Sequence, residues 1–590
     1  MEIDVQDIDH LGIIAGIVDE IGIVEIINRL LGTHPQEEVS AGHVVKALIL
    51  NCLGFLTAPL YLFSQFFNGK ATEHLIGPGV KPAHLNDSRI GRVLDQLYKQ
   101  GLTRVFVEIA LAAVVKFGVS VARLHLDSSS MYVHGQYLKD PHPLATAQNA
   151  ADEKVSNESA PSQSAPSARL SSEPVPIEIT HGYSRDHRPD LKQFTLNLIT
   201  SGDGDVPVYL EVGNGNDADK AVFTEVIEHF KQQWTAAKPE VIAADAALYS
   251  AENLQALGST PWITRVPATI TEAAWLMQTL PSEQFIASCL SNYRIAEVCI
   301  VYAGVRQRWL VIESQSRQQA DLKQLDKRIA KAYAEKLNAL KTLTAHPFAC
   351  QADALDALEG FEKKLKYHRL IDLEVVTKPH YDKPGRPRKG ERPKRYTYHP
   401  KARLAPNETV LAAQRNQAGR FILATNLLQQ EDLNGRLRQA DSNGHQQQDS
   451  NGHQQEEQWP NDEILQEYKN QQSCERGFRF LKDPLFFASR LFVKKVERVA
   501  ALAMIMGLCL LVYSLGQRQL RQALEQANET IPNQLDKPIA RPTLRWVLQC
   551  FQSVHLVWLN GHKWGIKLTE VQRHILRFLG SACQQYYLLC

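Results

Sequence analysis

Tyr468, Glu475 and Lys482 recur at intervals of seven in QEYKNQQSCERGFRFLKDP, residues 466–484, which ends at Pro484. At ~100° per residue a helix brings the three within about 20° of one line, with Gln471 and Arg479 slightly to one side. A stripe meant for a core would be apolar, and a solvated face has little use for the phenol. A phosphodiester held through a metal would use all three. Glu475 would ligate the ion, Lys482 would pair with phosphate as a point charge, and Tyr468 would hydrogen-bond or stack. A surface helix laced by i,i+4 pairs, such as Glu475 with Arg479, accounts for the same residues. Two more acids stand at the ends of apolar runs, Asp127 after VARLHL and Asp245 after PEVIAA. Either alone could be a turn former. Together with Glu475 they offer hard oxygen ligands of the kind magnesium takes. Two such ions roughly 3.5–4 Å apart can activate an attacking oxygen and stabilise the leaving one.

The elements that must position these acids are legible from periodicity. VARLHLD (121–127) alternates as a strand and stops at DSSS. FTLNLIT (194–200) and VPVYLEV (206–212) form a hairpin through SGDGD, and DADKAVFTEVIEHFKQQW (217–234) continues as a helix. PEVIAAD then reads as a buried strand, so strand, hairpin, helix and strand make an α/β sheet with polar residues at strand ends. Upstream, residues 1–118 read as a helical domain, a candidate DNA-binding module, with Ser88 the expected N-cap of SRIGRVLDQLYKQG. The first part of the core is expected at 119–254 and its second part at 416–516, where GRFILATN is a strand. Between them, 255–415 holds short strands (WITRVP, YRIAEVCIVYAG, RQRWLVIES) and a long charged helix at 317–343, an arm or coiled coil. Residues 517–590 are expected to be helical.

Composition bounds these readings. The 590 residues are too many for one ordinary core, and 44% hydrophobic with 22% charged residues suits a soluble globular chain. A net charge of +1 leaves any basic surface to be local. Nine scattered cysteines without a CxxC pair suit a reducing compartment, and the acidic start MEIDVQDIDH lacks a signal peptide's basic residues. A cytoplasmic protein is expected. VAALAMIMGLCLLVYSL (499–515) is at the short end of a membrane span, and we read it instead as a helix buried on all sides. Two polar stretches lie outside any core: the Ala/Ser/Pro/Glu-rich 146–174, and 441–458 with its tandem DSNGHQQ. His445 and His453 in that repeat reflect duplication rather than metal binding. Asp203, Asp205, Asp217 and Asp219 are turn and cap residues, and His125, on the strand face of Asp127, is a packed histidine.

Tyr468-x2-Gln471-x3-Glu475-x6-Lys482 resembles the Tyr-x2-Arg-x3-Glu-x6-Lys signature of bacterial insertion-sequence transposases with a DDE active site. HGYSRDHRPDLKQFTLNLIT (181–200), the ADAALYS turn at Asp245 and IPNQLDKPIARPTLRWVLQCFQ near residue 550 look like the same group. The resemblance implies an α/β fold with a ribonuclease-H-like core, a mainly β insertion between Asp245 and Glu475, and Asp127, Asp245 and Glu475 binding two Mg²⁺ ions, for which Mn²⁺ would substitute. It implies Tyr468, Gln471, Arg479 and Lys482 near the DNA, with Gln471 standing where the signature has arginine. The partners implied are double-stranded DNA, as element ends and target, and a second copy of the chain. A separate DNA contact is expected from KPHYDKPGRPRKGERPKRYTYHPKAR (378–403), with ten Lys/Arg against two acids. Its prolines keep the chain extended, so that Arg386, Arg388 and Lys389 could lie along a narrow minor groove. A catalytically inactive DNA-binding descendant and a structure-selective nuclease on the same core are the alternatives.

Overall fold

In the computed structural model the description covers residues 3–54, 62–135, 137, 174–183, 188–217, 219–234, 239–382, 392–428, 459–483, 493–560 and 562–588. Arg386, Arg388, Lys389 and the DSNGHQQ repeat lie outside it. The chain forms two compact units, Met1–Ile263 with Glu467–Cys590, and Thr264–Gln466, and the protein is mixed α/β.

The first unit opens with strand β1 (Ile3–Asp7) and helices α1 (Leu11–Ile21), α2 (Ile23–Leu31) and α3 (Ala41–Cys52), followed by α4 (Asp87–Gln100) and α5 (Leu102–Phe117). Ser40 caps α3 by accepting the His43 N–H. The cap of α4 is Asn86 rather than Ser88, because its Oδ1 reaches the Arg89 N–H at 2.9 Å. The sheet follows as β2 (Arg123–Val133), β3 (Lys192–Ser201), β4 (Pro207–Gly213), helix α6 (Asp219–Gln233), β5 (Val241–Ala244), α7 (Ala251–Leu257) and β6 (Trp262–Arg265). The strand order over this part of the sheet is β4-β3-β2-β5-β6. Strands β2, β3 and β4 pair antiparallel, while β5 joins β2 in parallel after the α6 crossover. Strand β2 does not stop at Asp127. DSSSMYV continues it, because Ser128–Val133 find partners in Lys192–Asn197 of β3.

The second unit carries β7 (Ile286–Ala287), β8 (Tyr293–Tyr302), β9 (Val305–Ser314), helices α8 (Gln315–Ala345) and α9 (Gln351–Glu362), β10 (His368–His380), β11 (Arg395–Pro406) and β12 (Arg420–Thr425). Helix α8 is not a free arm. Leu340 packs with Leu358, Leu370 and Leu404, and Leu325 with Tyr367 and Leu411, so its sparse leucines cover the β10–β11 hairpin. Strand β12, which its place in the sequence assigns to the returning core, hydrogen-bonds antiparallel to β9 and clusters with this unit.

The chain returns to the first unit along helices α10 (Asn461–Asn470) and α11 (Gln472–Leu481), then α12 (Val496–Ala527). The apolar part of α12 is 94% buried, packed by α1, α3, α4, α5, α11 and β4. A helix apolar on every side needs cover on every side. The N-terminal helices supply much of that cover. Beyond α12 the region is not all helical: His555–Leu559 is a strand paired antiparallel with β1.

Gly507 of α12 marks the tightest part of that packing. A Cβ there would lie 2.2 Å from Leu210 Cδ1 and 3.1 Å from the Phe106 ring. Gly507→Val is expected to destabilise the first unit by about 1–3 kcal/mol through overpacking, measured as a lower urea midpoint.

Candidate active site

Parallel pairing of β2 with β5 sets the two aspartates abreast. The ladder runs from Arg123↔Val241 to Leu126↔Ala244, and Asp127 and Asp245 are the next residue on each strand. Asp127 is 8% exposed, and its Oδ1 accepts the Ser128 N–H at 2.8 Å. Asp245 is half-buried and caps a short 3₁₀ turn, Ala246–Leu248, by accepting the Ala247 N–H at 2.9 Å. In each carboxylate one oxygen is oriented by a backbone N–H.

Glu475 lies on α11, which packs on β2 and β3. The single helix expected from 466 to 482 is two, joined at Gln471. Two tighter i→i−3 bonds replace the α pattern at the joint, Gln471 N–H to Tyr468 O and Cys474 N–H to Gln471 O. One stripe faces the sheet and is polar over the two turns nearest β2. Glu467 Oε1 lies 2.6 Å from His125 Nε2, the Gln471 amide donates to Leu126 O at 3.3 Å, and the Cys474 thiol donates to His125 O at 3.2 Å. Phe478 and Leu481 continue the same buried side. Tyr468, Glu475 and Lys482 each follow a residue of this buried side by one position. Tyr468 and Lys482 are half-buried, and Glu475 and Arg479 are exposed.

Glu467 is only 1% exposed. Burial would raise the pKa of its carboxyl, but the His125 hydrogen bond and the charges of His125 and Arg123 outweigh burial and hold it below its ordinary value. Arg123 NH1 is 3.5 Å from Glu467 Oε2, and the Asn470 amide is at the same distance. Glu467 is not among the residues expected at the site, and His125 is expected only to pack. His125 is indeed fully buried, and it also holds this carboxylate. The available signal was the spacing 467, 471, 474, a helical stripe one residue behind the conspicuous one.

The hairpin acids serve as anchors, as expected of turn residues. Asp203 takes the Arg518 guanidinium at 2.6 Å, Asp205 takes Arg476 at 2.8 Å, and Asp217 accepts the Asn214 N–H. Asp127 and Asp245 are thus brought together and Glu475 is carried on a helix packed against the same strand. Among the described residues, however, no three His, Cys, Asp or Glu side chains converge as a metal-ligand set. Gln471 is 8% exposed and bonded inward to β2, so its amide supports the helix in this structure.

Residues 3–111 match a family model described as a domain of unknown function, DUF4277. No curated protein matches the chain. Among solved structures it is similar to the piggyBac transposase synaptic complex with hairpin DNA, at 9% identity and a TM-score of 0.23, covering 53% of this chain and 61% of that one. It is also similar to the Mos1 transposase paired-end complex with left transposon end, at 9% identity and a TM-score of 0.13, covering 39% and 60%. The chain spans about three fifths of the length of each. Scores this low leave fold and function to be read from the strands themselves. The family match covers β1 and the N-terminal helices, and the elements that carry Asp127, Asp245 and Glu475 lie outside it.

Proposed function

We propose that the chain is a DDE transposase that cuts the ends of a mobile DNA element and joins them to target DNA. The observation that carries this reading is the side-by-side placement of Asp127 and Asp245 on parallel strands, beneath a helix bearing Glu475. The run of hairpin, crossover helix and parallel strand supports a ribonuclease-H-like core. Two adjacent carboxylates fit magnesium, which takes one or two from protein and fills its other positions with water and phosphate oxygens. Asp127 and Asp245 would hold it, with Glu475 the third ligand. Bound there, two ions would supply Lewis-acid activation of the attacking oxygen and neutralise charge on the leaving one. Tyr468, Arg479 and Lys482 would seat the phosphodiester beside Glu475, and the segment with Arg386, Arg388 and Lys389 would add backbone or minor-groove contacts. Two element ends call for a homodimer in the active assembly.

A catalytically inactive DNA-binding descendant is the second reading, favoured by Glu475 not being gathered with the aspartate pair. Incubation with element-end DNA and Mg²⁺ or Mn²⁺ separates the two. Cutting at the element end by wild type, lost in Glu475→Ala, is expected. No cutting by wild type, or equal cutting by the variant, would sink the enzymatic reading.

A further inference from the structure

Beneath Glu475 the helix pair meets the sheet through hydrogen-bonding groups where an ordinary helix–sheet contact would be apolar. Glu467, Gln471 and Cys474 sit at i, i+4 and i+7, and each bonds to His125 or Leu126, the two residues immediately before Asp127. Thr200, paired with His125 across β3, adds a contact to the Cys474 sulfur at 3.1 Å. The strongest bond joins two side chains that are each 1% exposed, His125 and Glu467. Burying a carboxylate is costly unless it is paired, and apolar residues of similar size commonly do as well or better for stability. Stability alone therefore gives no reason for Glu467 and His125. Apolar contacts would also tolerate sliding along the strand, whereas a 2.6 Å bond between two buried polar groups admits one register.

We propose that His125 and Glu467 are positioning residues that lock the Glu475 helix in register on the Asp127 strand. The inference rests on the transposase reading, in which those two carboxylates serve one site. Glu467 on α10 stands eight residues before Glu475 on α11, across the joint at Gln471, and His125 two residues before Asp127 on the same face of β2. The pair thus ties together the backbones that carry the two ligands. Gln471 and Cys474 lie at and just after the joint between the two helices, and their bonds to β2 fix that joint on the strand.

The test is a double-mutant cycle read by Mn²⁺ affinity of the full chain without DNA, alongside the rate of element-end cutting. In the wild-type background Glu475→Gln is expected to weaken Mn²⁺ binding by about 10-fold or more. In the His125→Leu/Glu467→Leu background, which keeps an apolar and foldable contact, the same change is expected to cost less than about 2-fold. That background should also lose cutting by about 10–100-fold, the usual effect of removing a group that orients a ligand. It should retain DNA affinity and a wild-type urea midpoint or better. Glu467→Gln, which keeps an acceptor for His125, should recover most of the rate. Equal effects of Glu475→Gln in both backgrounds, or wild-type cutting by the double leucine variant, would overturn the positioning role alone. Absence of Mn²⁺ binding and cutting in the wild type would overturn the transposase reading, and the positioning role with it.

Discussion

Asp127→Asn is expected to abolish metal-dependent cutting while leaving the protein folded and bound to DNA. The asparagine carbonyl can still accept the Ser128 N–H that orients Oδ1, and its size and burial are unchanged, so the β2 ladder has no reason to open. What disappears is the negative charge beside Asp245. A metal's Lewis-acid contribution is worth several kcal/mol, and at about 1.4 kcal/mol per tenfold this amounts to roughly a thousandfold in rate. Single-turnover cutting measured beside DNA-binding anisotropy separates chemistry from affinity. Asp245→Asn should behave alike, since its Oδ1 also accepts a backbone N–H that an asparagine could keep. Wild-type cutting by Asp127→Asn would remove the residue from the site.

The second large effect belongs to the other unit. Arg308 on β9 is fully buried, and it donates to Glu297, to the Leu427 and Trp459 carbonyls and to Asn461 Oδ1 at 2.7 Å. One guanidinium thus joins β8 to chain on both sides of 429–458. Arg308→Ala would leave a carboxylate and two carbonyls without that donor, and we expect a loss of about 3–5 kcal/mol. Hydrogen exchange of the 293–314 amides reads this locally, where a global midpoint would mix two units. Protection within about tenfold of wild type would show that the network contributes little.

Neighbouring residues along α10 and α11 show how much the sequence disclosed. Tyr468, Glu475 and Lys482 stand out because phenol, acid and cation at heptad spacing have no place in a core. Glu467, Gln471 and Cys474 make the seam, yet nothing in their types says which partner they face. His125 and Leu126 lie some 340 residues away, at separations of 342 and 345. Strands β3 and β4 were legible because the SGDGD turn sits between two alternating runs. The full length of β2 was not, because the serines of DSSS look like a terminus until β3 supplies partners for them. Strand β12 was readable as a strand but not as the neighbour of β9, and the pairing of β1 with 555–559 has no local signature at all. Burial of α12 was legible, since a charge-free run in an otherwise polar chain has few other places to go.

That pairing has a consequence for synthesis. Residues 3–7 leave the ribosome long before their strand partner, which follows more than 500 positions later. Tyr587, whose hydroxyl holds Asp9 O and the Ile13 N–H, emerges later still. Translation at roughly 5–20 residues per second keeps the first unit waiting for about half a minute or more. The inserted unit, complete by residue 466, has all its strands well before then. Nascent chains paused between the two should therefore carry a protease-resistant insert on a frame that is still open.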